Sequence, residues 1–288
     1  MTSSPPEENW DIEITPKNHL FDLKLKDTWR YRDLLLLFVR RDFVAFYKQT
    51  ILGPVWFFVQ PVITIVFYTI IFGNLAGIPT DGVPKPLFYL AGIILWNYFS
   101  DCLTKTSTVF RDNGALMGKV YFPRLIMPLS IVASSLIRFA VQAVLFILLL
   151  LFYFVKGGNI AINFHALLFP LLILLIAAQG LGLGMIISAM TTKYRDLAFA
   201  VSFGVPLLMY VTTIVYPLSV AQKRFPSYSW IIKFNPVTPI IETFRFGFLG
   251  KGSFSWESLG YCGLITSVLL VAGIIIFNRV EKSFVDTV

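Results

Sequence analysis

Few residues in this 288-residue chain have the type and spacing to do covalent chemistry. The dipeptides Gly118-Lys119 and Gly250-Lys251 come nearest to a phosphate-binding loop. Val120 and Gly252 follow them where Ser or Thr would hold a metal ion, and neither dipeptide follows a strand pattern. No nucleophile elbow or Ser/His/Asp arrangement stands out. Asp101 with Asp112, or Glu242 with Arg245, could begin a polar cluster at a membrane face. His19, His165, Cys102 and Cys262 are scattered without ligand spacing, so no metal site is expected. The chain is therefore not expected to be an enzyme or to carry a cofactor of its own. What remains are groups suited to gripping and coupling: 46 aromatic residues and basic residues gathered into particular loops.

The elements that must position these groups are membrane helices. The chain is 56% hydrophobic and 14% charged, with mean hydropathy +0.73. A soluble domain of that composition would expose far too much apolar surface. Apolar spans lie at about Ile51–Phe72, Leu87–Leu103, Leu125–Val155, Ala166–Met190, Leu197–Tyr216 and Leu259–Phe277. Each is near or above the ~20 residues a helix needs to cross a bilayer. Continuous apolar runs exclude a barrel, so the expectation is an all-α integral membrane protein of six transmembrane helices.

Charge orients the bundle. Sixteen Lys and Arg fall before span one, after spans two and four, and in the C-terminal tail; seven fall on the opposite side. The positive-inside rule then places both termini in the cytoplasm. The net charge of +8 sits at membrane edges, where it fits topology and anionic headgroups better than nucleic acid. Arg138 is the one basic residue left inside a span, with Gln142 one turn on. A charge at that depth costs on the order of 2.5–3.5 kcal/mol and should face protein or water.

Residues 1–26 read as an N-terminal cytoplasmic tail and 27–50 as an amphipathic interface helix capped at Asp27-Thr28. On a helical wheel Leu36, Val39, Phe43 and Phe46 share one face of that helix. Residues 51–280 form the six-helix domain and 281–288 a cytoplasmic C-terminal tail. Pro61 should kink span one. The stretch Arg111–Pro128 mixes charge with Met117, Tyr121 and Phe122, expected to be exposed as a docking surface. Gly180, Gly184 and Ser188 make a small-residue stripe for close helix approach. The Pro-broken, aromatic segment of about 217–258 reads as two short re-entrant helices forming an outer gate before the last span, with Glu242 and Arg245 at i, i+3. Aromatic rings in spans one and five could stack on sugar faces along a translocation path, or form interfacial belts and lipid-facing packing.

The chain resembles the membrane (permease) subunit of ABC exporters for lipid-linked polysaccharides, the O-antigen, capsule and teichoic acid exporters. The resemblance rests on Arg32-Asp33-Leu34-Leu35 through Arg40-Arg41-Asp42, on Lys48-Gln49-Thr50-Ile51-Leu52-Gly53-Pro54-Val55-Trp56, and on Leu95-Trp96-Asn97-Tyr98-Phe99-Ser100. Lys119-Val120-Tyr121-Phe122-Pro123-Arg124, Tyr194-Arg195-Asp196 and Asn235-Pro236-Val237-Thr238-Pro239 with Glu242 and Arg245 complete it. It covers about Arg30 to Phe277 and leaves the N-terminal tail outside.

The resemblance implies a homodimer in the bacterial inner (plasma) membrane, joined to two copies of a separate nucleotide-binding ATPase that holds the ATP and Mg. Its substrate would be a lipid-linked polysaccharide; an exporter of drugs or small lipids on the same fold is the alternative. Trp56, Phe67, Tyr68, Tyr210 and Tyr216 become substrate-channel candidates. Arg40, Arg41, Arg111, Lys119, Arg124, Arg195 and Asp196 become candidates for ATPase coupling, and Asn235, Pro236, Glu242 and Arg245 for the outer gate.

Overall fold

A computed structural model of the chain describes residues 25–285, apart from 49, 121, 159, 195 and 225. The expected tails, save their described edges, and Arg195 lie outside the described residues. Among those residues there are helices and turns but no strand. In chain order the α-helices are α1 (Leu25–Arg30), α2 (Arg32–Tyr47), α3 (Trp56–Tyr68), α4 (Lys85–Ser107), α5 (Val109–Met117) and α6 (Ile126–Val155). They continue with α7 (Phe169–Lys193), α8 (Leu197–Leu208), α9 (Leu218–Arg224), α10 (Ser229–Phe234), α11 (Thr238–Leu249) and α12 (Trp256–Val285).

Five helical stretches among the described residues are long and apolar enough to cross a membrane: Gly53–Leu75, Lys85–Ser107, Ile126–Val155, Phe164–Lys193 and Trp256–Val280. They coincide with the expected spans one to four and six. The expected fifth span is shorter. Its helix α8 tightens into a 3-10 turn at Met209–Val211, and Thr212 is extended, so the apolar helix ends at Leu197–Val211. At 1.5 Å per residue that reaches about 22 Å, against the ~30 Å of a hydrocarbon core.

The first crossing begins with Pro54 in a 3-10 turn, a position where the missing N–H costs nothing, and Pro61 is buried inside α3. The helix then loosens into a π-helical turn over Thr69–Leu75. Lys85 closes that turn by donating from Nζ to the Gly73 carbonyl at 2.7 Å and to Asn74 Oδ1 at 2.9 Å.

Helix α4 is the axis of the bundle. From Leu87 to Trp96 every residue is buried, whereas α3 presents most of its side chains outward. α4 packs on α6 and α7, and α7 packs on α12. The approach of α7 to its neighbours is at backbone distance. A Cβ added at Gly180 would stand 2.7 Å from Cys102 Cβ, and one at Gly184 2.6 Å from Thr106 Cβ, both on α4. A second stripe faces the other way: a Cβ at Gly182 would stand 2.8 Å from the Leu269 carbonyl carbon, and one at Gly273 2.6 Å from the Gly182 oxygen. Small residues thus weld α7 to α4 on one side and to α12 on the other.

Two expectations about the basic end of the bundle need correction. The interface helix starts before the Asp27 cap and is divided at Tyr31 into α1 and α2. Its inward face is Tyr31, Leu34, Leu35 and Phe38; Leu36, placed on the apolar face by the wheel, is 63% exposed and Leu37 60%. Met117 and Phe122 are buried, not exposed. They join Phe38, Val109, Phe110, Leu125, Ile126 and residues of α7 and α12 in a second hydrophobic cluster beneath α2 and α5. Phe38 meets Phe122 at 5.9 Å between ring centroids, and Phe110 stacks on Phe277 of α12 at 4.5 Å. Aromatic pairs of this kind add about 0.5–1.5 kcal/mol beyond their buried area.

At the opposite end the segment after α8 folds into three short helices, α9 to α11, rather than two. α10 is largely exposed, while α11 is almost wholly buried. The C-terminal carbonyls of α11 are satisfied by the loop after α6: Asn163 donates its backbone N–H to Gly247 at 2.8 Å and Nδ2 to Phe246 at 3.1 Å. Gly250 then ends the helix in the left-handed region (φ 68°), where glycine alone is unstrained.

Candidate functional site

Two pairs of polar side chains from the long helices meet between α4 and α6. Asn97 donates Nδ2 to Gln142 Oε1 at 3.3 Å. One turn along each helix, Arg138 lies 3.1 Å from Asp101 Oδ2, and Lys105 reaches the same carboxylate at 3.6 Å. The sequence marked Arg138 and Gln142 as costly but did not pair them; Asp101 was considered beside Asp112 instead. The two pairs repeat at i, i+4 on both helices, which is how antiparallel neighbours line up equivalent turns. Pairing answers the cost of a half-buried guanidinium, because a charge in low dielectric is stabilised by a counter-charge and hydrogen bonds.

The ladder leads into a cavity of about 600 Å³ lined from α2, α4, α5 and α6 and by Phe57 of α3. Arg138 and Ser134 form its inner part, and the more exposed Arg41 and Asp112 its outer part.

The coupling candidates lie around this end. Arg40, Arg111, Lys119 and Asp196 are exposed and Arg124 is half-buried. Arg41 grips Asp42 at 2.9 Å and lies over the Phe38 ring at 4.9 Å, and Arg111 pairs with Asp112 at 3.0 Å. Neighbouring exposed pairs like these hold geometry more than they add stability. The charged residues of α2 and α5 therefore sit on a shared apolar base, the second cluster.

The channel candidates separate. Trp56, Phe67 and Tyr210 are exposed on the bundle surface. Tyr68 is half-buried, its ring edge-on to Tyr89 at 6.0 Å and its hydroxyl donating to Met209 Sδ at 3.5 Å. Tyr216 folds back to donate its hydroxyl to the Tyr210 carbonyl at 2.7 Å. The structure thus brings Tyr68 beside the Met209–Tyr216 stretch, while Trp56 stands about 18 Å away along α3. The faces of α3 and α8 carry further exposed apolar rings, Phe58, Phe199 and Phe203.

The outer candidates are bound tightly into the fold. Arg245 is 1% exposed. It donates to the carbonyls of Thr213, Ile214 (3.0 Å) and Phe88 (3.3 Å), stacks on the Phe88 ring at 3.6 Å, and has Glu242 Oε1 at 3.6 Å. Burial pushes its pKa down to about 10 and Glu242 opposes that shift, so it stays charged at neutral pH. Glu242 Oε2 accepts the Ser253 N–H at 3.1 Å. Asn235 donates to the Val211 carbonyl at 3.3 Å, and its Oδ1 accepts the Val237 N–H. The Pro236 carbonyl accepts from Gln179 Nε2 at 3.2 Å. Gln179, fully buried on α7, also donates to Thr266 Oγ1 at 2.9 Å and joins α7, α12 and the α10–α11 turn. Sequence reasoning passed over it; a single amide inside the apolar run Leu171–Leu183 was the available signal.

Residues 33–249 match the profile of a family described as ABC-2 type transporter. Over 265 residues the chain is 27% identical to the O-antigen export system permease protein RfbA of Myxococcus xanthus, covering 92% of this chain and 98% of that protein. The protein of the same name from Klebsiella pneumoniae is also 27% identical over 265 residues, with the same coverage. The polysialic acid transport protein KpsM of Escherichia coli is 25% identical over 257 residues, 87% of this chain and 94% of that protein.

Proposed function

The chain belongs to the ABC-2 type transporter family, and from that premise we propose that it is the permease of an ATP-driven exporter moving a lipid-linked polysaccharide out of the bacterial cytoplasm. The observation that carries this reading is end-to-end similarity to permeases named for O-antigen export, over more than nine-tenths of both chains. The polar ladder supports a transport role, since paired charges inside a bundle mark function more often than packing.

In this reading the permease is a homodimer with two ATPase subunits, and both termini lie in the cytoplasm. Leu197–Val211 makes a sixth, short crossing, with the turns of residues 212–216 completing its path. The exposed faces of α3 and α8 line the polymer's route, with Trp56, Phe67, Tyr68, Tyr210 and Tyr216 offering rings to sugar faces. α2 and α5, with Arg40, Arg41, Arg111, Lys119 and Arg124 on or near them, receive ATPase motion and pass it through the second cluster to α12; in sequence, Arg195-Asp196 follows α7 as a further contact. α10 and α11 re-enter from outside; Glu242 and Arg245 form the fixed frame of an outer gate, and Asn235-Pro236 its hinge.

The test is ATP hydrolysis by this chain co-purified with its partner ATPase, with and without a lipid-linked polysaccharide. Stimulation by the glycolipid is expected. Indifference to glycolipid combined with stimulation by small amphiphiles would overturn the polysaccharide reading.

A further inference from the structure

The helix pair α9–α10, at the end of the bundle opposite α2 and α5, carries charge of one sign. Lys223 and Arg224 close α9 and Lys233 lies in the last turn of α10; all three are exposed. The sequence holds no Asp or Glu between Asp196 and Glu242, and Glu242 is buried against Arg245. Among the described residues no ion pair joins any of the three cations. Neighbouring loops and helix ends add Asp81, Lys251 and Glu257, so the surface stays positive. Asp81 turns to the start of α9, where it accepts from Ser219 at 3.1 Å. In the expected orientation the three cations sit on the side that the positive-inside rule leaves poor in Lys and Arg, so topology does not account for them. Like charges gathered in this way fit an anionic partner.

The outward face of α10 is apolar. Trp230, Ile231 and Phe234 share one side of the helix and are exposed, while Ile232 is buried on the other. Phe234 fixes the direction of this face. Its ring meets Tyr261 of α12 edge-on at 5.8 Å, and its carbonyl accepts the Tyr261 hydroxyl at 3.1 Å. From Tyr261 an exposed stripe runs down α12 through Leu264, Val268 and Val271 at helical spacing. Because α12 is long and apolar enough to cross a membrane, that stripe suits lipid tails, and α10 lies at its end. Rings and cations at the end of an apolar stripe are the composition of a bilayer interface. The aliphatic Ile231 between the rings suits hydrocarbon better than the hydroxyls of a sugar.

We propose that α9–α10 lies in the bilayer interface and selects anionic lipid there. Trp230, Ile231 and Phe234 enter the acyl boundary beside the α12 stripe, and Lys223, Arg224 and Lys233 draw anionic headgroups around them. The long stems of the two lysines let their ammonium groups stay at headgroup level while the rings sit deeper. The surface rests on the membrane placement of these helices and not on the exporter reading.

Cys102 and Cys262 are both buried, so Ile231→Cys supplies one accessible thiol in the full-length chain. The thiol is labelled with bimane, and the protein is placed in nanodiscs of equal parts phosphatidylcholine and phosphatidylglycerol. A nitroxide quencher is carried on the acyl chain of one lipid at a time. Nitroxide phosphatidylglycerol should quench several-fold more than nitroxide phosphatidylcholine. Bimane at Val268→Cys, about 10 Å further along α12 than Tyr261, should be quenched equally by both. Lys223→Gln, Arg224→Gln and Lys233→Gln should each reduce the preference, by up to about fivefold per cation, and the triple variant should abolish it. All three side chains are exposed, so elution profile and melting temperature should not change. Equal quenching by the two lipids at Ile231→Cys, or a preference that survives in the triple variant, would overturn the proposal. Quenching by neither lipid would overturn it too, and a fluorescence change on adding oligogalacturonate would then give the surface to an acidic glycan. The lipid arms contain no ATP, ATPase or polymer, so their failure is separate from failure of the exporter reading.

Discussion

Arg138 of α6 and Asp101 of α4, 37 residues apart in sequence, stand 3.1 Å apart inside the bundle, and Lys105 one turn along α4 shares the same carboxylate. The contact ties the two helices at a depth where neither charge is stable alone. Asp101→Asn or Arg138→Gln should each lower stability by about 2 kcal/mol, below the ~3–5 kcal/mol of a fully buried pair because both side chains keep some exposure. The double variant should recover part of that loss. Thermal unfolding of the four proteins in one detergent closes the cycle; additive losses would show that the two groups do not interact.

Gly182→Ala should destabilise by about 1–3 kcal/mol, because its Cβ would meet the backbone of Leu269, which cannot turn aside as a side chain can. Gly260→Ala on α12 meets nothing within 4 Å and should be neutral or stabilising by up to about 1 kcal/mol. Paired melting curves distinguish close helix approach from a general intolerance of larger residues.

Arg245→Met should abolish recovery of monodisperse protein. It strips a donor from three buried carbonyls and leaves Glu242 without its cation, at about 1–3 kcal/mol for each unsatisfied group. Arg245→Lys keeps the charge but not the fork and should fall between the two. Size-exclusion profiles and melting temperatures provide the readout, and wild-type behaviour of the Met variant would remove Arg245 from the frame of α11.

Charge reversal at Arg111 and Lys119 should lower glycolipid-stimulated ATP hydrolysis several-fold with the melting temperature unchanged, since both side chains are exposed. Phe110→Ala should lower both, because its ring is buried against Phe277 and its truncation opens a cavity worth about 3–5 kcal/mol. Unchanged hydrolysis in the charge-reversal variants would sink the coupling role of α5.

Trp56→Ala and Tyr210→Ala should slow export of long polymers while changing stability by less than about 0.5 kcal/mol, as expected for exposed side chains. Export is read from the length distribution of surface polysaccharide. Normal export of the longest chains would return both residues to a lipid-facing role.

Hydropathy made the long helices legible because α3, α4, α6, α7 and α12 each hold a run whose only stable state in lipid is helical. Gly180 and Gly184 of α7 were legible from their one-turn spacing, whereas Gly182, which faces α12 instead, was not. Partnerships were not. Asp101 and Arg138 each stood out, but which helix faces which depends on the whole bundle. Met117 and Phe122 were read as exposed because they neighbour Lys119 and Arg124, while the cluster that covers them comes from α2, α7 and α12. The wheel for α2 found an apolar arc at Leu36, Val39, Phe43 and Phe46, but packing against α5, α7 and α12 selects the adjacent arc of Leu34, Leu35 and Phe38, which a wheel of one helix does not distinguish. In α8, composition gave a full span, and Thr212 ended the helix early through a backbone turn that hydropathy does not register.

Because Gly180 and Gly184 bring α7 against α4 while Gly182 and Gly273 bring it against α12, these three helices have no side-chain cushion over which to slide. In the proposed exporter they would be the stator of the subunit. A working stroke there would fall to parts without such glycine contacts, the π-helical turn at Thr69–Leu75 and the short α8. A disulfide placed across α4 and α7 should therefore leave transport running, whereas one that ties α3 to α8 should stall it.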